Sequence, residues 1–222
     1  MENIRLVEIK EEILSDNRNL AREIRENLRV NRVFMLNLMS SPGAGKTSLI
    51  LHTIRALKKE CRIGVIEGDI DSMVDSEKVA NEGVPAVQIR TGGACHLDAP
   101  MIDKALQKTD LKNLDFLIIE NVGNLVCPAE FDTGATKRAM ILSVPEGDDK
   151  PLKYPLMFTI CDALVVNKID YLNLSDFDME ALKARVLKLN PNIRIFEVSC
   201  RTGDGIPAWT QWLRAEIEAS KK

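Results

Sequence analysis

The segment SSPGAGKTS, residues 40–48, lies between an apolar stretch and the start of an amphipathic one. A standard phosphate-binding loop reads Gly, four residues, then Gly-Lys-Ser/Thr, and here Ser40 occupies the position of the first glycine. Gly43 and Gly45 still let backbone N–H groups turn toward an anion at a helix N-terminus. A plain glycine turn would explain the glycines but not the Lys-Thr pair. We therefore predict a phosphate site formed by Gly43, Ala44, Gly45, Lys46, Thr47 and Ser48.

The sequence around this loop alternates apolar runs with amphipathic stretches. Runs of this kind predict strands over residues 33–39, 62–69, 86–91, 115–120, 138–144, 162–168 and 193–199, and helices over 45–59, 176–189 and 206–220. Continuous apolar strands alternating with helices indicate a mostly parallel, twisted sheet covered on both faces. We predict an α/β fold of the P-loop NTPase class, with residues 1–222 forming a single nucleotide-binding domain.

Two segments outside this alternation carry their own predictions. A helix over about residues 5–28 precedes the first strand, because apolar residues recur there at helical spacing: Ile13, Leu14, Leu20, Ala21, Ile24 and Leu28. Residues 145–158 show no clear element, and we interpret them as a mobile loop or a partner contact.

The choice of base is indicated by NKID, residues 167–170, which follows a strongly apolar run. The Asp170 carboxylate only accepts hydrogen bonds, so it favours the N1 and N2 donors of guanine and repels the N1 lone pair of adenine. Residues 199–205, SCRTGDG, follow the last predicted strand, where backbone donors would face the guanine carbonyl. The predicted base-binding residues are Asn167, Lys168, Asp170, Ser199, Cys200 and Arg201. This order of motifs predicts GTP as the ligand.

Acidic residues at two other strand ends point to magnesium and hydrolysis. Asp69 closes the run VIEGD, and its neighbours Asp71 and Asp75 are interpreted as solvated loop acids. ENVGN, residues 120–124, ends the fourth strand where most GTPases carry Asp-x-x-Gly, so Glu120 takes the acidic position. The predicted catalytic residues are Lys46, Asp69, Glu120 and Gly123, and the predicted magnesium ligands are Thr47, Asp69 and Glu120. Asn124 stands where Ras-type enzymes position water with glutamine, so we expect slow hydrolysis, about 10⁻⁴ to 10⁻² per second.

Composition excludes several classes of function. A formal charge of -3, with basic residues scattered along helical faces, gives no field that would attract nucleic acid. The chain has no run of 18 apolar residues, and its first residues, MENIRLVEIKEE, differ from a signal peptide, so we expect a cytoplasmic protein without membrane contact. Five widely spaced cysteines argue against a disulfide framework and for reduced thiols or a metal.

RTGGACHLDAP, residues 90–100, places Cys95 beside His96, one of only two histidines. Neighbouring residues of a strand point to opposite faces, so the two side chains reach one ion only from irregular backbone or a helix start. On local evidence alone, a buried thiol beside a surface histidine is the commoner arrangement. Cys61, Cys161 and Cys200 are interpreted as core or loop thiols, and His52 as a helix-face histidine.

The order of SSPGAGKTS, EGD, GGACHLD, ENVGN, KPLKYP and NKID closely resembles the nickel-incorporation GTPases of NiFe-hydrogenase maturation, the HypB family. The resemblance runs through essentially the whole chain, and both Glu120 and the Cys-His pair behind Gly-Gly are family marks. It implies a GTP-dependent homodimer that binds Ni²⁺ or Zn²⁺ at its interface through Cys95, His96 and Cys127. It also implies a small nickel- and zinc-binding companion chaperone and a hydrogenase large subunit as partners.

Cys127 lies four residues beyond Gly123, so a loop that closes on the γ-phosphate would move its thiolate relative to the Cys-His pair. Ligands of S, S and N type suit Zn²⁺ or Ni²⁺, and a two-fold interface could complete the shell. Lys150 or Lys153 could reach a partner's nucleotide, or could form a solvated pair. The first 50 residues contain no cysteine or histidine, so nickel storage there is not expected.

Three alternatives compete with this interpretation. The first is a related accessory GTPase for urease or for a cobalamin mutase, which the Cys-His pair disfavours because the urease type usually carries Cys-x-His. The second is a metal-linked binding or storage dimer in which the nucleotide is only structural. The third, an ATP-driven relative, conflicts with Asn167 and Asp170.

Overall fold

The fold is built on one sheet of seven strands, seen in a computed structural model that describes residues 9–71 and 73–222. The strands are β1 (Phe34–Ser40), β2 (Ile63–Asp69), β3 (Ala86–Arg90), β4 (Phe116–Glu120), β5 (Lys137–Ser143), β6 (Ala163–Asn167) and β7 (Arg194–Glu197). Their spatial order is β3-β2-β4-β1-β5-β6-β7, and every neighbouring pair runs parallel. The predicted fold class and all seven predicted strands are confirmed.

Helices connect the strands and cover both faces of the sheet. They are α1 (Ile9–Asn31), α2 (Lys46–Leu57), α3 (Val74–Ala80), α4 (Ala99–Leu106), α5 (Cys127–Glu130), α6 (Lys150–Lys153), α7 (Pro155–Ile160), α8 (Met179–Leu189) and α9 (Ile206–Ser220). On β1, Phe34 and Leu36 pack with α2 and α9, whereas Met35 packs with α1 and α4 and Met39 with α7 and α8. Because β1 is covered on both faces, its residues are all buried, and this explains its largely apolar sequence, in which Asn37 and Ser40 are the polar residues.

The register of the sheet gathers polar residues at the carboxyl ends of the strands. Glu67 on β2 is paired with Glu120 on β4, and Ser143 on β5 is paired with Asn167 on β6. In an open parallel sheet, ligands bind beyond these strand ends. The edge that carries these residues therefore faces the candidate site.

The N-terminal helix packs against α4, with Ala21, Ile24 and Leu28 buried. Its predicted apolar face is incomplete, since Ile13 is 52% exposed. Residues 5–8 of the predicted helix lie outside the described residues. Among the helices that are described, none combines the length and the apolar character needed to span a membrane.

Short helical segments occupy most of residues 145–158, so the prediction of a loop without an element is wrong, whereas the alternative of a partner contact stays a prediction. A 3₁₀ turn over Val144–Glu146 leads into α6 and α7, and prolines occupy the first turns of these short segments. Met157 and Phe158 are fully buried. Helices this short show no hydrophobic period, and tertiary burial stabilises them instead.

The turn before α9 depends on two glycines in left-handed conformations, Gly203 with φ of 88° and Gly205 with φ of 71°. A methyl group on Gly203 would meet open space, whereas one on Gly205 would collide with the Glu197 carbonyl oxygen. We expect Gly203→Ala to lower the free energy of unfolding by about 1–2 kcal/mol, the cost of left-handed backbone. Gly205→Ala should cost about 1–3 kcal/mol more through overpacking. Urea denaturation measures both, and equal losses would contradict the assigned clash.

Candidate functional site: a phosphate cavity, a base pocket and a thiol-imidazole cluster

A cavity of about 500 Å³ opens at the carboxyl ends of the central strands. The predicted residues that line it are Gly43, Gly45, Lys46, Thr47, Ser48, Asp69, Glu120 and Gly123. Ala44 is completely buried beneath the loop. A site for nucleotide phosphates and magnesium was predicted here, and the structure brings these residues together at one opening.

The phosphate loop is held by contacts of its own side chains. Lys46 Nζ donates to Ser40 Oγ over 2.9 Å, so the serine in the position of the first glycine orients the lysine. Thr47 Oγ1 donates to Glu120 Oε1 over 3.0 Å. Burial lowers the pKa of Lys46, because it disfavours the charged ammonium group, and a bound phosphate would stabilise that charge.

Glu67 is a functional candidate that the sequence analysis missed. It is 3% exposed, lines the phosphate cavity, and contacts Glu120, itself 5% exposed. Burial, followed by the neighbouring Glu120 charge, raises the pKa of Glu67 to about 10. Across residues 9–71 and 73–222, neither Glu67 Oε1 nor Glu120 Oε2 finds a hydrogen-bond partner. An acid inside the apolar run of β2 was the signal that could have found it.

The other predicted residues of this cavity are placed by local contacts. Asp69 ends β2 at the opening, and one of its oxygens accepts the Asp71 N–H over 3.0 Å. Gly123 packs so closely on Pro42 that a methyl group there would lie 3.0 Å from the proline ring. Asp75, interpreted as a solvated acid, instead lines the cavity and pairs with Lys78 over 2.7 Å.

A second cavity of about 350 Å³ adjoins the first at Gly45 and Ser48. The predicted base-binding residues that line it are Asn167, Lys168, Asp170, Cys200 and Arg201. Asn167 Nδ2 donates to the Ala44 carbonyl over 2.9 Å, and Asn167 Oδ1 accepts the Cys200 N–H over 3.1 Å. This asparagine therefore joins the phosphate loop to the base pocket. Lys168 reinforces the joint, because its Nζ donates to the Gly43 carbonyl over 2.8 Å.

The Asp170 carboxylate is oriented at the base pocket. Ser199 is completely buried and donates its hydroxyl to Asp170 Oδ1 over 2.6 Å, so it acts on the pocket through this acid. Asp170 Oδ2 is buried and accepts no hydrogen bond from the described chain; Arg201 lies 3.7 Å away. His52, predicted on a helix face, bonds the Cys200 carbonyl over 2.7 Å and anchors the loop.

The second site brings together Cys95, His96 and Cys127, whose potential ligand atoms all lie within 4.8 Å of one another. The two Sγ atoms are 2.9 Å apart, and Cys95 Sγ is 3.9 Å from His96 Nδ1. Contact with Cys95 raises the pKa of Cys127, and partial burial lowers that of His96, which favours the neutral imidazole. Two soft sulfur atoms and one nitrogen fit a zinc or nickel ion.

Irregular backbone makes this cluster possible. Gly92 and Gly93 take positive φ angles of 62° and 114° in a tight turn between β3 and α4, which lets adjacent residues face one point. His96 stacks on Phe131 with ring centroids 3.8 Å apart, which fixes the imidazole plane. Cys127 is the first residue of α5. The other three cysteines are not members of the cluster.

Comparison with known proteins agrees with this geometry. The family model for the CobW/HypB/UreG nucleotide-binding domain matches residues 34–197. The hydrogenase maturation factor HypB of Azotobacter vinelandii is 46% identical over 98% of this chain and 75% of its own length. The chain belongs to the HypB family of hydrogenase maturation factors.

Two solved HypB structures are similar in fold. HypB from Helicobacter pylori in complex with nickel has a TM-score of 0.86 and 38% identity, covering 93% of this chain and 97% of its own. HypB from Archaeoglobus fulgidus has a TM-score of 0.86 and 40% identity, covering 91% of this chain and 99% of its own. The family resemblance seen in the sequence motifs is confirmed.

The raised pKa of Glu67 makes stability depend on pH. In the folded protein without ligands, Glu67 holds its proton up to a pH of about 10, whereas an unfolded glutamate releases it near 4.5. Proton loss on unfolding means that the free energy of unfolding falls as pH rises between these values, by up to about 1.4 kcal/mol per pH unit. Glu67→Gln should flatten this slope and stabilise the nucleotide-free protein at pH 8. Chemical denaturation at several pH values tests this, and parallel curves would contradict it.

Proposed function

We propose that this protein is a GTP-hydrolysing metal carrier that binds nickel or zinc at a homodimer interface and supports nickel insertion into hydrogenase. The observation that carries the proposal is a shared segment. Residues 120–127 begin with the buried acid of the phosphate cavity and end with a thiol of the metal cluster. A change in nucleotide can therefore reach the metal ligands through a few residues of backbone.

The assignment of GTP is supported by the base pocket. Asp170 Oδ2 is a buried acceptor that receives no hydrogen bond from the described residues and has only Arg201 at 3.7 Å, so it suits the N1 and N2 donors of guanine and opposes adenine. Asn167 and Lys168 hold this pocket against the phosphate loop. A guanine nucleotide would thus lie across both cavities, with its phosphates at Lys46.

The phosphate cavity also suits magnesium. The unpartnered oxygens of Glu67 and Glu120 and the Thr47 hydroxyl are hard oxygen donors, and Asp69 lies at the opening. Bound magnesium would neutralise phosphate charge. We assign Lys46 to the terminal phosphates and the Gly123 N–H to the γ-phosphate. The side-chain oxygen of Asn124 accepts the Val126 N–H over 2.8 Å. Because this oxygen is already bonded, it is poorly placed to position an attacking water, in keeping with slow intrinsic hydrolysis.

Nickel or zinc is the cargo of this carrier. Three ligands from one chain leave a coordination position for a partner subunit or an acceptor, so the ion can leave again. We infer a GTP-dependent homodimer, a companion metal chaperone and a hydrogenase large subunit as partners from the HypB family. All five cysteines are free, in keeping with a cytoplasmic protein whose thiols stay reduced. We propose that residues 1–222 act as one GTP-binding domain.

The neighbourhood of Lys150 and Lys153 supports the solvated pair better than a contact with the partner's nucleotide. Lys153 pairs with Asp149 over 2.5 Å, and Lys150 lies 5.7 Å from the Tyr154 ring centroid. Both lysines therefore have partners among the residues that flank their own short helix.

The base assignment predicts a switch in specificity. Asp170→Asn would replace the acceptor that faces N2 of guanine by a donor, which suits the C2 carbonyl of xanthine. We expect affinity for GDP to fall by about 100-fold or more, and affinity for xanthosine diphosphate to appear. Calorimetric titration measures both ligands. The control is Asp204→Asn, an exposed acid of the neighbouring loop 199–205, which should keep the preference for GDP. Retained GDP binding by the Asp170 variant would contradict the base assignment.

The carrier function is tested by titrating Ni²⁺ and Zn²⁺ into the wild type, Cys95→Ala and Cys127→Ala, each with GDP and with a non-hydrolysable GTP analogue. Loss of a residue that hydrogen-bonds a metal ligand typically weakens metal binding by about 10- to 100-fold. Loss of a ligand itself should weaken binding by more than this. Wild-type affinity should differ between the nucleotides by about 5- to 150-fold.

Cys61→Ala is the matched control, because Cys61 lies at the opposite ends of the strands. Sedimentation of the same samples should show more dimer with the GTP analogue. A metal affinity that is the same with GDP and with the GTP analogue would contradict the carrier function. It would favour a storage dimer in which the nucleotide is only structural.

A further inference from the structure

Leu97 follows the two metal-ligand candidates Cys95 and His96 and is completely buried. Its N–H donates to Asn121 Oδ1 over 3.1 Å. The residue immediately after the Cys-His pair is thus fixed to the end of β4. This bond joins the metal loop, residues 91–98 between β3 and α4, to the start of the segment 120–127 that ends with Cys127.

Asn121 is also completely buried, directly after Glu120, and lines the phosphate cavity. Besides the Leu97 N–H, its Oδ1 accepts the Val122 N–H over 2.9 Å. Its Nδ2 donates to Asn37 Oδ1 on β1 over 3.1 Å. One side chain therefore connects the central strand, the segment that leads to Gly123 and the metal loop.

The Leu97 side chain touches the other acidic strand end. A methyl group added to Gly68 would lie 2.5 to 2.8 Å from three atoms of Leu97, so the leucine rests directly on the glycine backbone. Gly68 separates Glu67 from Asp69 on β2. The residue after the Cys-His pair therefore contacts both strands that bring acids to the phosphate cavity.

We propose that Leu97 and Asn121 are positioning residues that transmit the nucleotide state to the metal ligands. A shift of the ends of β2 or β4 on nucleotide exchange moves Leu97 and displaces Cys95 and His96 relative to Cys127. This inference rests on the proposed function, since it names the contacts through which that coupling runs.

Asn17 provides a matched comparison. It is a second buried asparagine, and it bonds the segments that follow His96 and Cys127: its Oδ1 accepts the Ala99 N–H over 2.8 Å, and its Nδ2 donates to the Asp132 carbonyl over 2.9 Å. It lies on α1 and does not line the phosphate cavity. Loss of Asn17 should loosen both segments without breaking their link to the nucleotide.

The test compares the ratio of Ni²⁺ affinities measured in a saturating non-hydrolysable GTP analogue and in saturating GDP. Asn121→Ala removes the link, and we expect this ratio to fall about fivefold, which corresponds to about 1 kcal/mol. Asn17→Ala should weaken both affinities by a similar factor and keep the wild-type ratio. A wild-type ratio in Asn121→Ala, or an equal fall in Asn17→Ala, would overturn the assignment.

Leu97→Val is the second variant, because it shortens the side chain and weakens its contact with Gly68 while keeping the backbone N–H that bonds Asn121. It should lower the ratio in the same direction, and an unchanged ratio would count against the role of Leu97. Thermal unfolding confirms that each variant is folded before titration. If the wild type binds Ni²⁺ with equal affinity in both nucleotides, the proposed carrier function fails. If the wild-type affinities differ and the Asn121 and Leu97 variants keep the same ratio, only this inference fails.

Discussion

Two carboxyl groups, Glu67 and Glu120, meet beside the buried ammonium group of Lys46 at the ends of neighbouring parallel strands. Ionising both carboxyl groups in so poorly hydrated a site is unfavourable, and for this reason the pKa of Glu67 is raised and its carboxyl group keeps its proton. A divalent cation bound here would remove this cost, because it would stabilise both carboxylates in their ionised form. The sheet register imposes the arrangement, and the covered faces of the sheet make it rigid.

Much of the fold follows from patterns that a single chain displays. The central strands are mainly apolar because both faces of the sheet are covered, and α9 matches its predicted residues 206–220 because its apolar period is regular. Residues 145–158 could not be predicted in this way, since α6 and α7 have too few turns to show a period. Their helical state depends on burial against elements that are distant in sequence.

The same distinction between local and long-range patterns applies to the candidate site. The phosphate loop and NKID are contiguous, so their residues and roles could be assigned from spacing. The thiol cluster joins Cys95 to a residue 32 positions later across irregular loops, and only family resemblance pointed to Cys127. The sequence did not reveal the role of Glu67, because its partner Glu120 lies on another strand. It did not reveal the link from Leu97 to Asn121 either, because a buried hydrogen bond leaves no pattern in either segment.

The position of α1 has a practical consequence for work with this protein. Asn17 bonds the segments after His96 and Cys127 only eight residues after Ile9, where the described helix begins, a rise of about 12 Å. Histidine tags added ahead of this helix would bring competing imidazoles on the element that holds both segments, and these would take up the same ions. Affinity purification and metal titration therefore call for a tag beyond α9, or for its removal.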